Sequence, residues 1–299
     1  MTPGPPSGGS TIVPGMPLLY ELHDLARERG IERYRLMSKS ELAAALGLEP
    51  DGAAPAAAVS EAGGPTEVEL TRRAGFALLT LRGRDNALSL EVLERLAELA
   101  EEQAADPDVR VLAITGAGTR LFSSGADLAR MRGRPGSEVT ASGTDACRRI
   151  AALPVPTVAL LNGHAVGGAI DLALACDWRF AVQGTKLRFI HNELGYSPPW
   201  GGAGRLAALI GRSAALRLFA TCAVVAAEEA RNLGIVDELV GPGRLESKLE
   251  SLTAGISRAD REAVTVTKRL LAAEPDLAAH ERAFAALWDA RAGSSTLSA

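Results

Sequence analysis

Two short stretches collect residue types that can hold and move charge. In "NGHAVGGAIDLALACD", residues 162–177, the pair Gly167 and Gly168 opens a short apolar helix, and one carboxylate, Asp171, falls in its first turn. In "TRLFSSGADLARM", residues 119–131, Gly125 stands among small residues just before another helical pattern. The first amides of a helix have no intrahelical acceptor and point outward, so each turn offers free N–H groups. Two such groups from separate loops, aimed at one point, make an oxyanion hole. That arrangement stabilises the enolate or tetrahedral anion of an acyl carbonyl such as a thioester. A carboxylate three residues past Gly168 is within reach of a water or a carbon near that carbonyl, where it would act as acid or base. An aspartate in a first helical turn also suits the helix dipole whatever its function, so both roles stay open at this point.

The loops need a frame that brings them together. "VRVLAITGAG" and "PTVALLNGHAVGG" each read as a buried strand ending in a glycine turn. Upstream, "EVELTRRAGFALLTLRG" gives two strands around a turn at Ala74–Gly75, and "SLEVLERLAELAEEQAAD" gives an amphipathic helix that Ser89 caps. Downstream, "KLRFIHNE" alternates like a strand and places Phe189, His191 and Glu193 on one face. Helix, helix and strand follow in "SAALRLFAT", "AAEEARNLG" and "IVDELV", and the chain is helical in pattern from Leu245. Strands alternating with helices predict an α/β domain with a largely parallel sheet. Ligands of such sheets sit beyond the carboxyl ends of the strands, where both glycine turns lie.

Before this domain come three other segments. Residues 1–16 are Pro/Gly/Ser-rich and read as a flexible tail. Residues 17–48 hold two helical patterns, the first ended by Gly30, the second capped by Ser38 or Ser40 and ended by Gly47. Residues 49–66, "EPDGAAPAAAVSEAGGPT", read as a linker. The whole chain of 299 residues is 47% hydrophobic, enough for a large core, and its formal charge of −4 does not suggest a nucleic-acid binder. The three cysteines, Cys147, Cys176 and Cys222, lack metal-ligand spacing, and their odd number points to a reducing compartment. No apolar run approaches membrane-spanning length. The expectation is a soluble cytoplasmic protein without a metal.

Taken in order, "ITGAG…LFSSGADL", "LNGHAVGG…DLALACD" and "AAEEARNLGIVDELV" resemble the crotonase, or enoyl-CoA hydratase/isomerase, superfamily from about residue 67 to 289. The resemblance implies a ββα spiral core over 67–244, a helical trimerisation region over 245–299 and a homotrimer or hexamer. It implies acyl thioesters as substrates, with coenzyme A or pantetheine as the carrier and no permanently bound cofactor. Carried over by position, the amides of Ser124 and Gly168 would be the oxyanion donors, beside Gly125 and Gly167. The "GADL" loop would meet the adenine end of coenzyme A through Ser123, Ala126 and Leu128, with Asp127 between them. Arg82 and Arg84 in "LRGRDNAL" would meet its phosphates, and Lys268 would approach it from a helix.

Asp171 falls where hydratases of the family carry a glutamate. The second acid/base position lies in "FIHNELGYSPPWGG" and aligns in two ways, on His191 or on Glu193. Trp200 either lines the acyl pocket or belongs to the core, and His164 reads as structural. This departure from two glutamates leaves hydratase or isomerase as the nearest label, with decarboxylation or C–C bond hydrolysis in specialised metabolism as rivals. Residues 17–48 resemble the helix–loop–helix unit of Rho N-terminal and SAP-like domains. Such units often touch nucleic acid, but here the basic residues are offset by acids, so the expectation is docking of a carrier protein or pathway enzyme. A non-catalytic scaffold and a nucleic-acid-linked role are the readings of other classes.

Overall fold

The computed structural model describes residues 19–31, 42, 45–47, 66–272 and 276–292. The chain divides into two units, Met1–Ser60 and Glu61–Ala299, each with a core of its own. In the first, helix α1 (Leu19–Glu28) buries Leu22 and Ala26 together with Leu42 and Leu46. Gly30 ends α1 at φ 66°, and the Ile31 amide turns back to the Ala26 carbonyl. The expected tail, Ser38, Ser40 and nearly all of the 49–66 linker lie outside the described residues.

The second unit is built on a six-stranded sheet in the order β1 (Glu67–Arg73), β2 (Phe76–Arg82), β3 (Val111–Gly116), β5 (Thr157–Leu161), β7 (Trp178–Val182), β10 (Glu238–Val240). Only the β1–β2 hairpin is antiparallel; from β2 to β10 the neighbours run parallel. A smaller sheet has the order β4 (Leu121–Ser123), β6 (His164–Val166), β8 (Lys186–Arg188), β9 (Val224–Ala226). Every residue of β5 is buried, because Ala159 and Leu161 belong to the core on one face of the large sheet and Val158 and Leu160 to the core on the other.

The chain climbs through this body in a repeated step: a strand in the large sheet, a strand in the small one, then a helix. The sequence β3, β4, then α3 (Leu128–Met131) and α4 (Gly136–Ala151) makes one such turn; β5, β6, α5 (Gly168–Ala175) makes the next. The third is β7, β8, then α6 (Gly202–Ile210) and α7 (Arg212–Ala220). The single strand expected over "PTVALLNGHAVGG" is therefore two. The apolar run continues through both, but Asn162 and Gly163 carry the chain from one sheet to the other. Asn162 Nδ2 donates to the carbonyls of Gly116 and Gly118 at 2.8 and 2.7 Å, and its Oδ1 accepts from the Gly116 amide at 3.1 Å. One side chain thus ties two successive crossovers. Asn162→Ala is expected to lower stability by about 2 kcal/mol, since it strands several part-buried backbone groups; urea unfolding measures it.

Helix α2 (Leu90–Ala105) starts at the Ser89 cap, whose Oγ accepts from the Val92 amide at 3.3 Å, and packs Leu93, Leu96 and Ala100 into the core. After α8 (Ala227–Leu233) and β10 come α9 (Leu245–Ile256), α10 (Arg261–Ala272) and α11 (Leu277–Ala292). Leu249 of α9 closes a second core with Phe76, Val158 and Phe180 on the far face of the large sheet. Helix α11 leaves Leu277, Phe284 and Trp288 exposed, the last two stacked at 5.8 Å. Among the described residues no helix is long and apolar enough to cross a membrane.

Candidate functional site

The segment after β4 pairs with a distant residue, and that pairing decides which of its amides are free. Leu88 forms a parallel bridge with Ala126: its amide donates to the Gly125 carbonyl at 2.8 Å, and its carbonyl accepts from Asp127 at 2.9 Å. In such a bridge the central residue's own N–H points away from its partner. The neighbouring amides are engaged. Ser124 donates to the Asp85 carbonyl at 3.0 Å, Gly125 to Ser123 Oγ at 3.0 Å, and Leu128 to the Ala126 carbonyl at 2.9 Å. Among the described residues the Ala126 amide has no acceptor. The expectation for Ser124 as an outward donor is thereby corrected. The short "LRGRDNAL" turn, with Asp85 at φ 55° and Asn86 at φ 51°, folds its carbonyl onto that amide.

The second loop lies against the first. Gly167 takes φ 54°, and its amide donates to the Arg188 carbonyl at 3.0 Å. Gly168 is the first residue of α5, so its amide has no intrahelical acceptor. A Cβ on Gly125, itself at φ 86°, would lie 3.1 Å from Gly168 N and 2.3 Å from the Val166 carbonyl oxygen. Glycine is required there by conformation and by contact.

Asp171, one turn into α5, is fully buried. Neither of its carboxylate oxygens has a hydrogen-bond partner among the described residues, and neither does either ring nitrogen of His191. The two side chains meet at 3.5 Å, His191 Nε2 to Asp171 Oδ2. His191 Nε2 is also 3.8 Å from where a Cβ would stand on Gly167, and its ring lies 5.8 Å from that of Phe219. On the other side, a Cβ on Gly202 would fall 1.6 Å from Asp171 Oδ1, so the start of α6 sits directly on the carboxylate. A buried carboxyl group with no hydrogen bond is uncommon in a purely structural role.

Between the two alignments left open by the sequence, the structure brings His191 to Asp171 and takes Glu193 elsewhere. The expected strand ends at Arg188; from Ile190 the chain turns, with the Leu194 amide on the Ile190 carbonyl and the Tyr196 amide on the His191 carbonyl. Glu193 therefore leaves the shared face and forms a buried ion pair with Arg188 at 2.9 Å, the side chains 9% and 5% exposed. Glu193→Gln is expected to lower stability by about 3 kcal/mol, because it removes the counter-charge of a buried guanidinium. Turnover per folded molecule should stay within about tenfold of wild type, since proton transfer would not pass through it. Thermal unfolding and initial rates on one preparation check both.

The remaining expected site residues are dispersed. Arg82 pairs with Glu69 at 2.7 Å, and Arg84 is exposed. Lys268 points inward to Asp177 Oδ2 and the Val155 carbonyl, at 2.7 and 2.9 Å, which ties α10 to the sheet and corrects its expected approach to a cofactor. Asp127 caps α3 by accepting from the Arg130 amide at 3.1 Å, while Leu128 is exposed. His164 is structural, accepting the Lys186 amide on Nδ1 at 3.1 Å. Trp200 is a core residue in direct contact with the site, packed on Gly168. Burial pushes the Cys147 and Cys176 thiols up to about 12, which keeps both protonated and unreactive at neutral pH.

Residues 71–291 match the family model described as enoyl-CoA hydratase/isomerase. The chain is 34% identical over 186 residues to the crotonyl-CoA hydratase of Syntrophomonas wolfei, covering 61% of this chain and 72% of that one. It is 33% identical over 197 residues to the ethylmalonyl-CoA decarboxylase of Gallus gallus, covering 62% and 63%. The crystal structure of an enoyl-CoA hydratase from Bacillus anthracis superimposes with a TM-score of 0.70 at 27% identity, covering 76% of this chain and 92% of that one.

Proposed function

Since the chain belongs to the enoyl-CoA hydratase/isomerase family, the crotonase superfamily, we propose that it moves a proton on an enoyl thioester, the isomerase side of that family's chemistry. The thioester oxygen lies between the amides of Ala126 and Gly168, which hold it as it becomes anionic. Asp171 removes a proton from the α-carbon, the electrons pass into the carbonyl as an enolate, and the proton returns to the γ-carbon as the enolate collapses. His191, touching Asp171, shares the proton and the charge between the two steps. The observation that carries this reading is the buried Asp171–His191 contact, without another hydrogen-bond partner among the described residues and adjacent to the Gly168 turn. Syn addition of water calls for two groups holding one water; a pair already in contact, with Glu193 held by Arg188, favours a direct proton shift.

Decarboxylation of a carboxyacyl thioester is the second reading. It is favoured by the decarboxylase among the relatives and by the same site, in which carbon dioxide leaves, the oxyanion amides hold the enolate, and the Asp171–His191 pair supplies one proton. Both readings require stabilised α-carbanion character. Wild-type protein in D2O should therefore exchange the α-protons of butyryl-CoA, followed by NMR; exchange at the uncatalysed rate would contradict both. Conversion of but-3-enoyl-CoA to crotonyl-CoA, set against release of carbon dioxide from ethylmalonyl-CoA, separates them.

Coenzyme A or a pantetheinyl carrier protein presents the same thioester. The "GADL" loop and the exposed Arg84 support contacts with that carrier. The exposed apolar side chains of α10 and α11, Leu271, Leu277, Phe284 and Trp288, support a homo-oligomer, trimer or hexamer. For the first unit, with its small core of Leu22, Ala26, Leu42 and Leu46, the proposal is a docking module for a carrier protein or pathway enzyme.

A further inference from the structure

Trp200 precedes α6 and is fully buried. Its indole is fixed on several sides. Nε1 donates to the Val139 carbonyl at 3.2 Å. A Cβ on Gly143 of α4 would fall 2.1 Å from Nε1, and one on Gly168 of α5 would fall 2.4 Å from Cζ3. Both helices thus carry glycine where the ring touches them, and the indole packs directly on their backbones. Gly168 is the residue whose amide would hold the thioester oxygen. Two residues beyond Trp200, Gly202 lies on the carboxylate of Asp171. An acyl group held by its carbonyl at Gly168, with its α-carbon at Asp171 and His191, therefore meets the indole within a few carbons. Phe219 bounds the side behind His191.

We infer that Trp200 is a specificity-determining residue: it closes the far end of the acyl site and restricts the substrate to short-chain acyl thioesters. This rests on the placement of the acyl group in the proposed function.

Equilibrium binding of butyryl-CoA and decanoyl-CoA tests this without requiring turnover. Wild type should prefer butyryl-CoA by about 100-fold or more, as a closed pocket excludes added methylenes at cost. Trp200→Ala should tighten decanoyl-CoA binding relative to butyryl-CoA by about tenfold or more, narrowing the preference. Trp200→Phe, which retains a ring and much of the packing, should fall between them and serves if the alanine variant does not fold. Equal wild-type affinity for the two chains, or a parallel loss for both in a folded variant, would overturn the inference. If wild type binds neither thioester, this inference and the proposed function fall together. If chain-length preference behaves as stated but Asp171→Asn leaves turnover intact, the catalytic assignment alone falls.

Discussion

Asp171→Asn is expected to lower turnover by about 10²- to 10⁴-fold while leaving folding stability unchanged or raised. The activity loss follows from removing a general base without changing its shape. The stability result follows from the environment. The wild-type carboxylate is fully buried, accepts no hydrogen bond among the described residues, and lies between an imidazole at 3.5 Å and the start of α6 at Gly202. Holding a charge there costs desolvation that a neutral amide avoids, and the new NH2 group faces an imidazole nitrogen able to accept from it. The start of α6 at Gly202 and the first turn of α5 offset part of that cost through their dipoles. Loss of activity with no loss of melting temperature is the signature of a residue retained for chemistry at the expense of stability. A structural aspartate would show the opposite pattern. Steady-state rates and thermal unfolding on the same preparation distinguish them.

Gly125→Ala is expected to reduce turnover by about 10²- to 10³-fold through the oxyanion site. It should also cost about 1–2 kcal/mol of stability from the left-handed backbone at that position. The added methyl would press on the Val166 carbonyl at 2.3 Å and on Gly168 N at 3.1 Å, so the two loops must separate and their amides lose a common target. Gly118 provides the control. It has a similar φ of 79°, but a Cβ there meets nothing within 4 Å. Gly118→Ala should show comparable backbone strain and near-normal turnover. Equal activity losses in the two variants would mean that strain alone, not the loop contact, is responsible.

Much of this site can be read from the chain. The glycine pair before an apolar run marks the start of α5 and places Asp171 one turn inside it, because helix geometry fixes that spacing locally. The Ser89 cap and the β1–β2 hairpin are legible for the same reason. The oxyanion loop is different. Its free amide is on Ala126 and not on Ser124, since Leu88 bridges the loop and Asp85 occupies Ser124. Those partners come from another turn of the spiral, and residue types in "SSGAD" do not encode them. The bridge could have been suspected from "NAL" preceding a capped helix, but its register could not. Strand alternation failed at His191–Glu193 for a related reason. The period of two holds only while the ladder continues, and here it ends at Arg188, where Gly167 takes the last carbonyl. The break at Asn162 was hidden because both halves of the run are buried, one in each sheet.

A crystal structure of the protein with acetoacetyl-CoA measures the central geometry directly. The thioester oxygen should lie about 3 Å from both Ala126 N and Gly168 N, with the α-carbon facing Asp171 and His191. A thioester bound elsewhere, or one whose oxygen sits on neither amide while the Asp171–His191 pair remains sealed from it, would contradict the account.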